Sequence, residues 1–547
     1  MDSSVDYTAT RYEDIRFTMT RQIRSIWMIS REYGELAGAG GIKDMVCQLS
    51  RALGAGTARS VSVVIPLYGF IDPEKHGFLP LEDPLAPGKP LCIPINMNQP
   101  DRSIREEAGY YYKQDGQVRL YLVDAVRFRE KKSIYTYTTE EAQGSEWKKS
   151  SAGHHDYFAM NVLHQKASLE LMIALGAKVD VIHCHDGHTG LLAALIREKS
   201  GYISYFRGTG CLVTIHNAGY GYHQEIADIP YAVSITGLPV RVVESCQLER
   251  KFDPLLVAGV YALVNTVSEN YARELQETVQ DSMTGWLGHE LKRRHIVLEG
   301  VTNGIDPRSF PPKVFPGVAE KMHFDPADPK DTLSGKKRCK NELVRLTGGS
   351  FHRVAGYGRL SGDSDMVLLT YVGRLNEQKG VDILLDALPQ LFAATPGVQM
   401  LVLGSGWTEI EDRLVGMTTL EAFKGRLCYL RGYDPDLANQ IFAAGDFFVL
   451  PSRFEPCGLT DFMAQLYGNL PIAHLVGGLV KVIDGKTGIG YDDNSARGLV
   501  DAIERALALS DKKKRRMQLR AVQTIHERYT WSKVMHKYLD LYRKSMP

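Results

Sequence analysis

The chain has 547 residues, of which 44% are hydrophobic and 24% charged, and its formal net charge at pH 7 is +1. This length exceeds what one hydrophobic core usually supports and predicts two to three domains. The near-neutral charge argues against nucleic acid or an anionic membrane as a partner, since either needs a strong basic excess. Nor does any apolar stretch approach the roughly 20 residues that a membrane span needs.

Cysteine usage and the N-terminal segment both favour a reducing cytosol. The eight cysteines are scattered and none forms a Cys-x-x-Cys pair, so neither metal fingers nor a disulfide framework is expected. The first residues include Asp2, Asp6, Glu13 and Asp14 and lack the basic and apolar regions of a signal peptide. We therefore expect a cytoplasmic protein.

Short apolar runs alternate with helical stretches along the whole chain. This pattern predicts an α/β protein with mostly parallel sheets. In the first half, strands are predicted at Ser25–Ile29, Val61–Ile65, Val118–Val123, Val179–His183, Cys211–Ile215 and Tyr261–Val267. In the second half, strands are predicted at Met366–Val372, Gln399–Leu403, Leu427–Leu430, Phe447–Leu450 and Leu470–His474.

The segment between the two sets of strands, from Asp306 to Asp365, is richer in Pro, Gly, Lys and Arg and carries fewer apolar runs. Two doubly wound, Rossmann-like domains over residues 1–305 and 306–525 fit this pattern best. Residues 526–547 are predicted to form a closing helix, because apolar and aromatic residues recur there at helical spacing and need a surface to pack on.

A glycine-rich turn, Gly38 to Asp44, follows the first predicted strand and opens a helix. Gly40 and Gly41 allow the backbone to approach an anion closely at the positive end of that helix. The dinucleotide pattern Gly-x-Gly-x-x-Gly fails, because Lys43 occupies the position of its last glycine. The turn predicts an anion site, with a simple tight turn as the alternative.

Polar runs end other segments of the first half, at His183–His188, Thr214–Asn217 and Val301–Asp306. The first run invites a zinc interpretation, but strand alternation sends its cysteine away from the two neighbouring histidines. A zinc site would also need ligands from elsewhere, and none is obvious. These runs instead predict a cleft with a polar rim at the carboxyl ends of the strands.

Two cations, Arg374 and Lys379, follow the strand predicted at Met366–Val372 and would lie across one loop from each other. Such a pair stabilises charge on a departing diphosphate, each preorganised donor typically contributing ~3–4 kcal/mol. The alternative for each is an ordinary surface cation. Asp363-Ser364-Asp365 resembles a metal-binding Asp-x-Asp, but it precedes its strand and so lies at the wrong edge of a parallel sheet.

The run Pro451–Thr460, after the buried strand Phe447–Leu450, is the most informative segment of the chain. It places Arg453 and Glu455 beside an amide-rich Gly-Leu-Thr. Such groups at the end of a parallel strand suit a sugar attached to a phosphate. A strand–helix connection with a structural salt bridge is the alternative.

Together these motifs resemble bacterial glycogen synthases and plant starch synthases of glycosyltransferase family 5, whose GT-B fold pairs two Rossmann-like domains across a cleft. The similarity spans roughly residues 25–545. Gly38–Asp44 resembles the family's glycine loop, His183–Gly190 its His-x-His-Asp-Trp-His segment and Thr214–Asn217 its Thr-Ile-His-Asn. The segments that match almost letter for letter are Asn303–Asp306, Arg374-Leu375 with Gln378-Lys379-Gly380, and Pro451–Thr460.

The resemblance implies a retaining glucosyltransferase that moves glucose from a nucleotide-glucose donor, usually ADP-glucose in bacteria, to the non-reducing 4-hydroxyl of an α-1,4-glucan. It implies no metal and no other cofactor. Arg374 and Lys379 would neutralise the leaving diphosphate, and Glu455 would support positive charge at the anomeric carbon. Further implied site residues are Asp186, His216 and Asn303 around the glucose, Tyr433 on the nucleobase, and Gly40, Gly41, Cys457, Gly458, Leu459 and Thr460 at the donor.

The chain departs from the family pattern at several motif positions. Gly38 replaces a lysine of the glycine loop, and Gly187 replaces the tryptophan of the histidine segment. Asp461 replaces a common glutamine, Gly477–Val482 differs from a Gly-Gly-Leu-x-Asp-Thr pattern, and His474-Leu475 replaces a basic pair. These differences leave the donor base open, together with two alternatives: transfer to a non-glucan acceptor, or glucan binding without turnover.

Overall fold

The computed structural model describes residues 22–56, 58–311, 322–362 and 365–547. The acidic residues of the N-terminal segment, and Asp363 and Ser364 of the Asp-x-Asp motif, lie outside the described residues. The described chain folds around two large sheets built mainly of parallel strands.

The first half of the chain forms a ten-stranded sheet and two short hairpins. The strands are β1 (Ser25–Ile29), β2 (Ser60–Pro66), β3 (Leu79–Pro80), β4 (Glu82–Asp83), β5 (Ala86–Pro90), β6 (Cys92–Asn96), β7 (Arg105–Asp115), β8 (Val118–Asp124), β9 (Val181–His185), β10 (Gly210–Ile215), β11 (Gln247–Leu248), β12 (Lys251–Phe252), β13 (Leu263–Thr266) and β14 (Glu299–Gly300). Seven parallel strands lie in the order β8-β2-β1-β9-β10-β13-β14, and the first six of them define the core of the sheet. These six have the Rossmann order 3-2-1-4-5-6, which reverses between β1 and β9.

Twelve helices accompany these strands in the described part of the first half. They are α1 (Gly41–Gly54), α2 (Val126–Arg129), α3 (Thr139–Gln143), α4 (Tyr157–Ala174), α5 (Asp186–Thr189), α6 (Leu192–Glu198), α7 (Ser200–Ile203), α8 (Ile229–Thr236), α9 (Val240–Ser245), α10 (Pro254–Tyr261), α11 (Glu269–Glu277) and α12 (Leu287–Arg293). In α1, apolar residues such as Met45, Leu49 and Leu53 recur at helical spacing, so one face of the helix is buried.

The second half forms a seven-stranded sheet with the same strand order. Its strands are β15 (Val354–Gly358), β16 (Val367–Val372), β17 (Val398–Gly404), β18 (Leu427–Gly432), β19 (Phe447–Leu450), β20 (Leu470–His474) and β21 (Ile489–Tyr491). Its helices are α13 (Ser334–Leu346), α14 (Val381–Ala394), α15 (Thr408–Thr419), α16 (Pro435–Ala444), α17 (Thr460–Leu466), α18 (Ala496–Leu507) and α19 (Asp511–Thr524). The parallel order β18-β17-β16-β19-β20-β21 reverses between β16 and β19, and β15 adds an antiparallel edge.

The predicted doubly wound α/β fold is confirmed, and a strand lies at each predicted position. One of them, β9, lies two residues later than the predicted Val179–His183, because its histidines are buried inside the fold rather than ending the strand. The sequence prediction missed the antiparallel strands β3, β6 and β7 at the edge of this sheet and the separate β4–β5 hairpin. Many residues of these strands are exposed or half-buried, so they lack the continuous apolar run of a strand covered on both faces.

The last helix, α20 (Trp531–Ser545), packs on the first sheet rather than on the second, which directly precedes it in the chain. Its residues in the apolar core of the first sheet are Trp531, Val534, Tyr538, Leu539, Leu541 and Tyr542. The Ile305 N–H donates to the Tyr529 carbonyl at 2.8 Å, so the two connections between the sheets run side by side. None of the helices in the described ranges is long and apolar enough to cross a bilayer.

Candidate active site

Several of the predicted site residues follow the strands at which the order of each sheet reverses. Arg374 and Lys379 follow β16 and Glu455 follows β19, and these two strands are neighbours. In the first sheet, Gly40 follows β1 and Asp186 follows β9. Connections at such a point run to opposite faces of the sheet and leave a crevice where ligands bind. Each sheet therefore contributes one such edge to the candidate site.

Lys379 and Glu455 form an ion pair at the edge of the second sheet. Lys379 Nζ lies 2.6 Å from Glu455 Oε2, and Ser452 Oγ donates to the same oxygen at 3.1 Å. Burial raises the pKa of Glu455, but the charges of Lys379 and Lys481 and the hydrogen bonds from Lys379 and Ser452 together outweigh it, so the pKa lies below its ordinary value. The carboxylate is therefore ionised at neutral pH and held in one place by two donors.

Arg374 is exposed on the same edge, where it faces the first domain. The phenol of Tyr222, from the segment after β10, lies close to it: burial raises the pKa of Tyr222, and the charge of Arg374 opposes that shift. Asp186 and Glu32 of the first domain also act on the pKa of this phenol. Tyr222 is therefore close enough to interact with Arg374 of the second domain and with both carboxylates of its own domain.

Asp186 is completely buried, and its backbone φ of +54° is rare for a residue other than glycine. Its Oδ1 accepts the N–H groups of His216 at 2.6 Å and Asn217 at 3.4 Å. Burial raises the pKa of Asp186 well above its usual value, although these two donors oppose the shift. Asp186 Oδ2 and Asn303 Oδ1 are buried without a hydrogen-bond partner among the described residues. Since such atoms are seldom left unpaired, both are candidate contacts for a polar ligand.

The histidines near β9 bond to other protein groups. The two ring nitrogens of His183 lie 3.0 Å from the Tyr542 hydroxyl and 2.7 Å from Thr214 Oγ1. His185 Nδ1 lies 3.1 Å from His216 Nε2. Burial lowers the pKa of His183 and of His216 to about 3, so both rings are neutral at pH 7. In the described ranges, no group of three or more His, Cys, Asp or Glu side chains is arranged to hold a metal ion.

A carboxylate already occupies the glycine turn that the sequence predicts as an anion site. Glu32 Oε2 accepts the N–H groups of Ala39 at 2.7 Å and Gly40 at 2.9 Å, so the Gly40 amide is not free for a phosphate. Gly41 lies against the second domain: a Cβ built on it would be 3.5 Å from Leu459 Cδ1. The turn therefore meets the Pro451–Thr460 segment through Gly41.

Lys43 fills the space beside Gly38. A Cβ built on Gly38 would lie 2.2 Å from Lys43 Cδ, and Lys43 Nζ pairs with Glu35 Oε1 at 2.5 Å. Tyr433 of the second domain is 66% exposed, and the charge of Lys43 lowers the pKa of its phenol against the larger effect of burial. Lys43 and Tyr433 therefore face each other across the two domains, where Tyr433 is predicted to meet the nucleobase.

Cys457, Gly458, Leu459 and Thr460 connect β19 to α17 at the domain interface. The backbone N–H of Asn303 donates to the Cys457 thiol, and burial raises the pKa of this thiol to about 11. Gly458 has a φ of +73°, a conformation that L side chains rarely adopt. The structure thus brings Asn303 to the Pro451–Thr460 segment, which we call the signature segment. It places His216 and Asp186 deeper in the first domain, against each other.

Two departures from the family pattern, Asp461 and Lys481, form a buried ion pair. Lys481 Nζ lies 3.1 Å from Asp461 Oδ1, and the side chains are 4% and 0% exposed. The ammonium also donates to the carbonyls of Gly458 at 2.8 Å and Gly478 at 3.1 Å, and to that of Cys457. Burial raises the pKa of Asp461 to about 6, with Lys481 opposing the shift. The pair ties the signature segment to the turn Gly477–Lys481.

Backbone fills the space beside Gly187, where the family pattern has tryptophan. The Gly187 N–H donates to the Tyr222 carbonyl at 3.1 Å, and a Cβ built on Gly187 would lie only 2.1 Å from the His223 carbonyl oxygen. The segment is anchored there, since His223 Nδ1 lies 2.6 Å from Asp253 Oδ2. A tryptophan therefore does not fit without moving this segment.

We expect Gly187→Ala to lower the free energy of unfolding by roughly 1–3 kcal/mol, because the new methyl group overpacks a fixed backbone. Urea unfolding measures the change. Gly201→Ala is the matched control, since a Cβ built on Gly201 in α7 meets no atom within 4 Å. Equal stability of the two variants would contradict the expectation.

Sequence patterns did not point to Glu32, Tyr222 or the pairing of Asp461 with Lys481. Glu32 and Tyr222 read as ordinary polar residues, and Asp461 and Lys481 appear in the sequence only as separate departures from the family pattern. The available signal concerned the pair alone and was weak: an acid and a cation replace two family residues at once. The contacts of these residues become visible only in the folded structure.

Comparisons with known proteins agree with this geometry. Residues 25–289 match the family model of the starch synthase catalytic domain, and residues 367–509 match that of the group 1 glycosyl transferases. A glycogen synthase of Anaeromyxobacter sp. is 30% identical over 532 residues, which are 95% of this chain and 98% of that protein. The chain belongs to the glycogen synthase family. Glycogen synthase 1 of Geobacter metallireducens is 29% identical and covers 95% of this chain and 96% of its own.

Comparison with solved structures also supports the GT-B fold. The catalytic domain of starch synthase IV from Arabidopsis thaliana superposes with a TM-score of 0.76 at 23% identity, over 96% of this chain and 99% of that one. Sucrose-phosphate synthase from Thermosynechococcus elongatus gives a TM-score of 0.53 at 18% identity, over 95% and 98%. Both likenesses concern the fold. The chain is a glycosyltransferase of the glycogen and starch synthase type.

Proposed function

We propose that the protein transfers glucose from ADP-glucose to the non-reducing 4-hydroxyl of an α-1,4-glucan with retention at the anomeric carbon. The observation that carries the proposal is the Lys379–Glu455 ion pair at the switch point, with Arg374 on the same edge. The starch synthase IV structure contains ADP and acarbose, which supports ADP-glucose as the donor to test first. The glycogen synthase relatives support a glucan acceptor.

In the proposed reaction, the cations act on the leaving group and the carboxylate on the sugar. Arg374 and Lys379 take up the charge that develops on the diphosphate, and fixed charges of this kind need no reorganisation as the bond breaks. Glu455 stays ionised beside Lys379 and stabilises positive charge at the anomeric carbon. Two side-chain cations supply the positive charge, so the proposal includes no metal and no other cofactor.

Asp186 Oδ2 and Asn303 Oδ1 bind hydroxyl groups of the glucose in this proposal, since both oxygens are buried without a partner in the described structure. Retention follows from front-face attack. The acceptor's 4-oxygen bonds to the anomeric carbon on the face that the diphosphate leaves, and a diphosphate oxygen accepts the acceptor's proton. Closure of the two domains excludes water, which would otherwise compete as acceptor.

The deciding experiment measures nucleoside diphosphate release from ADP-glucose, UDP-glucose and GDP-glucose, with and without glycogen. We expect release from ADP-glucose that depends on glycogen. Faster release with small acceptors than with glycogen or maltooligosaccharides would favour a non-glucan acceptor. Glycogen binding in affinity electrophoresis, with no heat on titration of any nucleotide sugar, would favour a non-catalytic relative.

The predicted nucleobase contact gives a separate test. Because stacking of a base on an aromatic ring contributes about 1–3 kcal/mol, we expect Tyr433→Ala to raise the donor KM by roughly fivefold to a hundredfold. Tyr433→Phe keeps the ring and is the matched control, with an expected KM near that of the wild type. Steady-state kinetics with saturating glycogen measures both. A wild-type KM in the alanine variant would rule out stacking at this position.

A further inference from the structure

Helix α11 of the first domain, with the serine that caps it, makes direct hydrogen bonds to two segments of the second domain: the signature segment and the turn Gly477–Lys481. Ser268 Oγ donates to the Pro456 carbonyl at 2.8 Å. Glu274 accepts the Gly477 N–H with both carboxylate oxygens, at 2.9 and 3.1 Å. Asn270 Nδ2 donates to the Gly477 carbonyl at 3.0 Å. We call Ser268, Asn270 and Glu274 the interdomain clamp.

Two members of the clamp are buried, and a further hydrogen bond within the clamp fixes the Glu274 carboxylate. Ser268 and Glu274 are 2% and 8% exposed, and Asn270 Nδ2 also donates to Glu274 Oε1 at 2.7 Å, which fixes the carboxylate. Both backbone hydrogen-bonding groups of Gly477 are thus bound by the opposite domain. Hydrogen bonds to a charged group contribute more than neutral ones, so Glu274 is the dominant member.

The turn that the clamp holds lies directly on Glu455. The Gly478 N–H donates to the Glu455 carbonyl at 2.8 Å, and a Cβ built on Gly477 would lie 2.0 Å from the same oxygen. Gly477 has a φ of +51°, so glycine is needed here for both conformation and space. A displacement of this turn therefore displaces the Glu455 backbone, and with it the carboxylate that pairs with Lys379.

We propose that Glu274 is a positioning residue for Glu455, and that the clamp makes correct placement of this carboxylate depend on closure of the two domains. The donor site is then complete only when α11 has engaged Gly477. A polar contact suits an interface that opens and closes during turnover, because a polar interface exposes little apolar surface when it is open. The proposal rests on the role given to Glu455 under the proposed function.

The positioning role of Glu274 can be tested in the full-length chain with the variants Glu274→Ala and Glu274→Gln and the control Glu277→Ala. Glu277 lies on the same helix but is exposed, 4.0 Å from Lys292. We expect Glu274→Ala to lower kcat roughly tenfold to a hundredfold, as for loss of hydrogen bonds to a charged group, with the donor KM changed much less. Glu274→Gln keeps one acceptor oxygen for the Gly477 N–H and should retain more activity, whereas Glu277→Ala should match the wild type. A wild-type kcat in Glu274→Ala overturns the proposal.

Hydrogen exchange tests the clamp without turnover. Amides in residues 455–479 should exchange faster in Glu274→Ala than in Glu277→Ala or the wild type, while the melting temperature stays within a few degrees. Unchanged exchange in this segment overturns the clamp even if activity falls. If the wild type uses no nucleotide sugar, the proposed function fails, but the exchange comparison still decides whether Glu274 holds the segment that carries Glu455.

Discussion

Lys379→Ala is expected to lower kcat by about 10²–10³-fold, the typical effect of removing one preorganised donor to developing negative charge. The structure gives the substitution a second consequence. Lys379 Nζ lies 2.6 Å from Glu455 Oε2, so the variant also removes the cation that keeps this buried carboxylate ionised. Burial then raises the pKa of Glu455 with less opposition. The acid limb of the variant's pH–rate profile should therefore shift to higher pH.

The sign of the stability change follows from the same pKa. In the wild type the pKa of Glu455 is held below its ordinary value, so the ion pair stabilises the fold above that ordinary value and loses this contribution as the pH falls. In Lys379→Ala, the free energy of unfolding should therefore fall less as the pH is lowered. Lys486→Ala, at an exposed lysine of the same domain, is the matched control. A wild-type rate and pH profile in Lys379→Ala would remove Lys379 from the mechanism.

The parallel strands were predictable because strands covered on both faces read as apolar runs. The switch-point residues were predictable for a related reason. A ligand of a doubly wound sheet lies beyond the carboxyl ends of its strands, so the polar residues that follow an apolar run are the candidates. Arg374, Lys379 and Glu455 lie in the segments that follow such runs. Their adjacency in space then follows from the pairing of β16 with β19.

What the sequence could not supply depends on tertiary contacts that no local pattern specifies. β9 continues to His185 because its backbone pairs with β10 as far as Thr214. The predicted anion turn is occupied because Glu32, which precedes it, folds back onto the amide of Gly40. The interdomain clamp joins Glu274 to Gly477 across 203 residues. A local pattern contains no information about any of these three contacts.

Lys481→Met is expected to lower the free energy of unfolding by about 3–5 kcal/mol, the usual cost of removing one partner of a buried ion pair. The substitution leaves Asp461 buried without its cation, and it leaves the carbonyls of Gly458 and Gly478 without the ammonium donor. Urea unfolding monitored by fluorescence measures the change. Because the pair holds the signature segment, nucleoside diphosphate release should fall as well.

Asp461→Leu combined with Lys481→Met is the informative control. Replacing both members of a buried pair with apolar groups is often nearly neutral, so the double variant should recover most of the stability that Lys481→Met loses. Additive losses would mean that the two residues do not act as a pair. Recovery would show that the two departures from the family pattern compensate each other: one charged pair replaces other side chains and still fixes the backbone next to Glu455. Taken as a pair, they give no reason to assign the chain to the non-catalytic alternative.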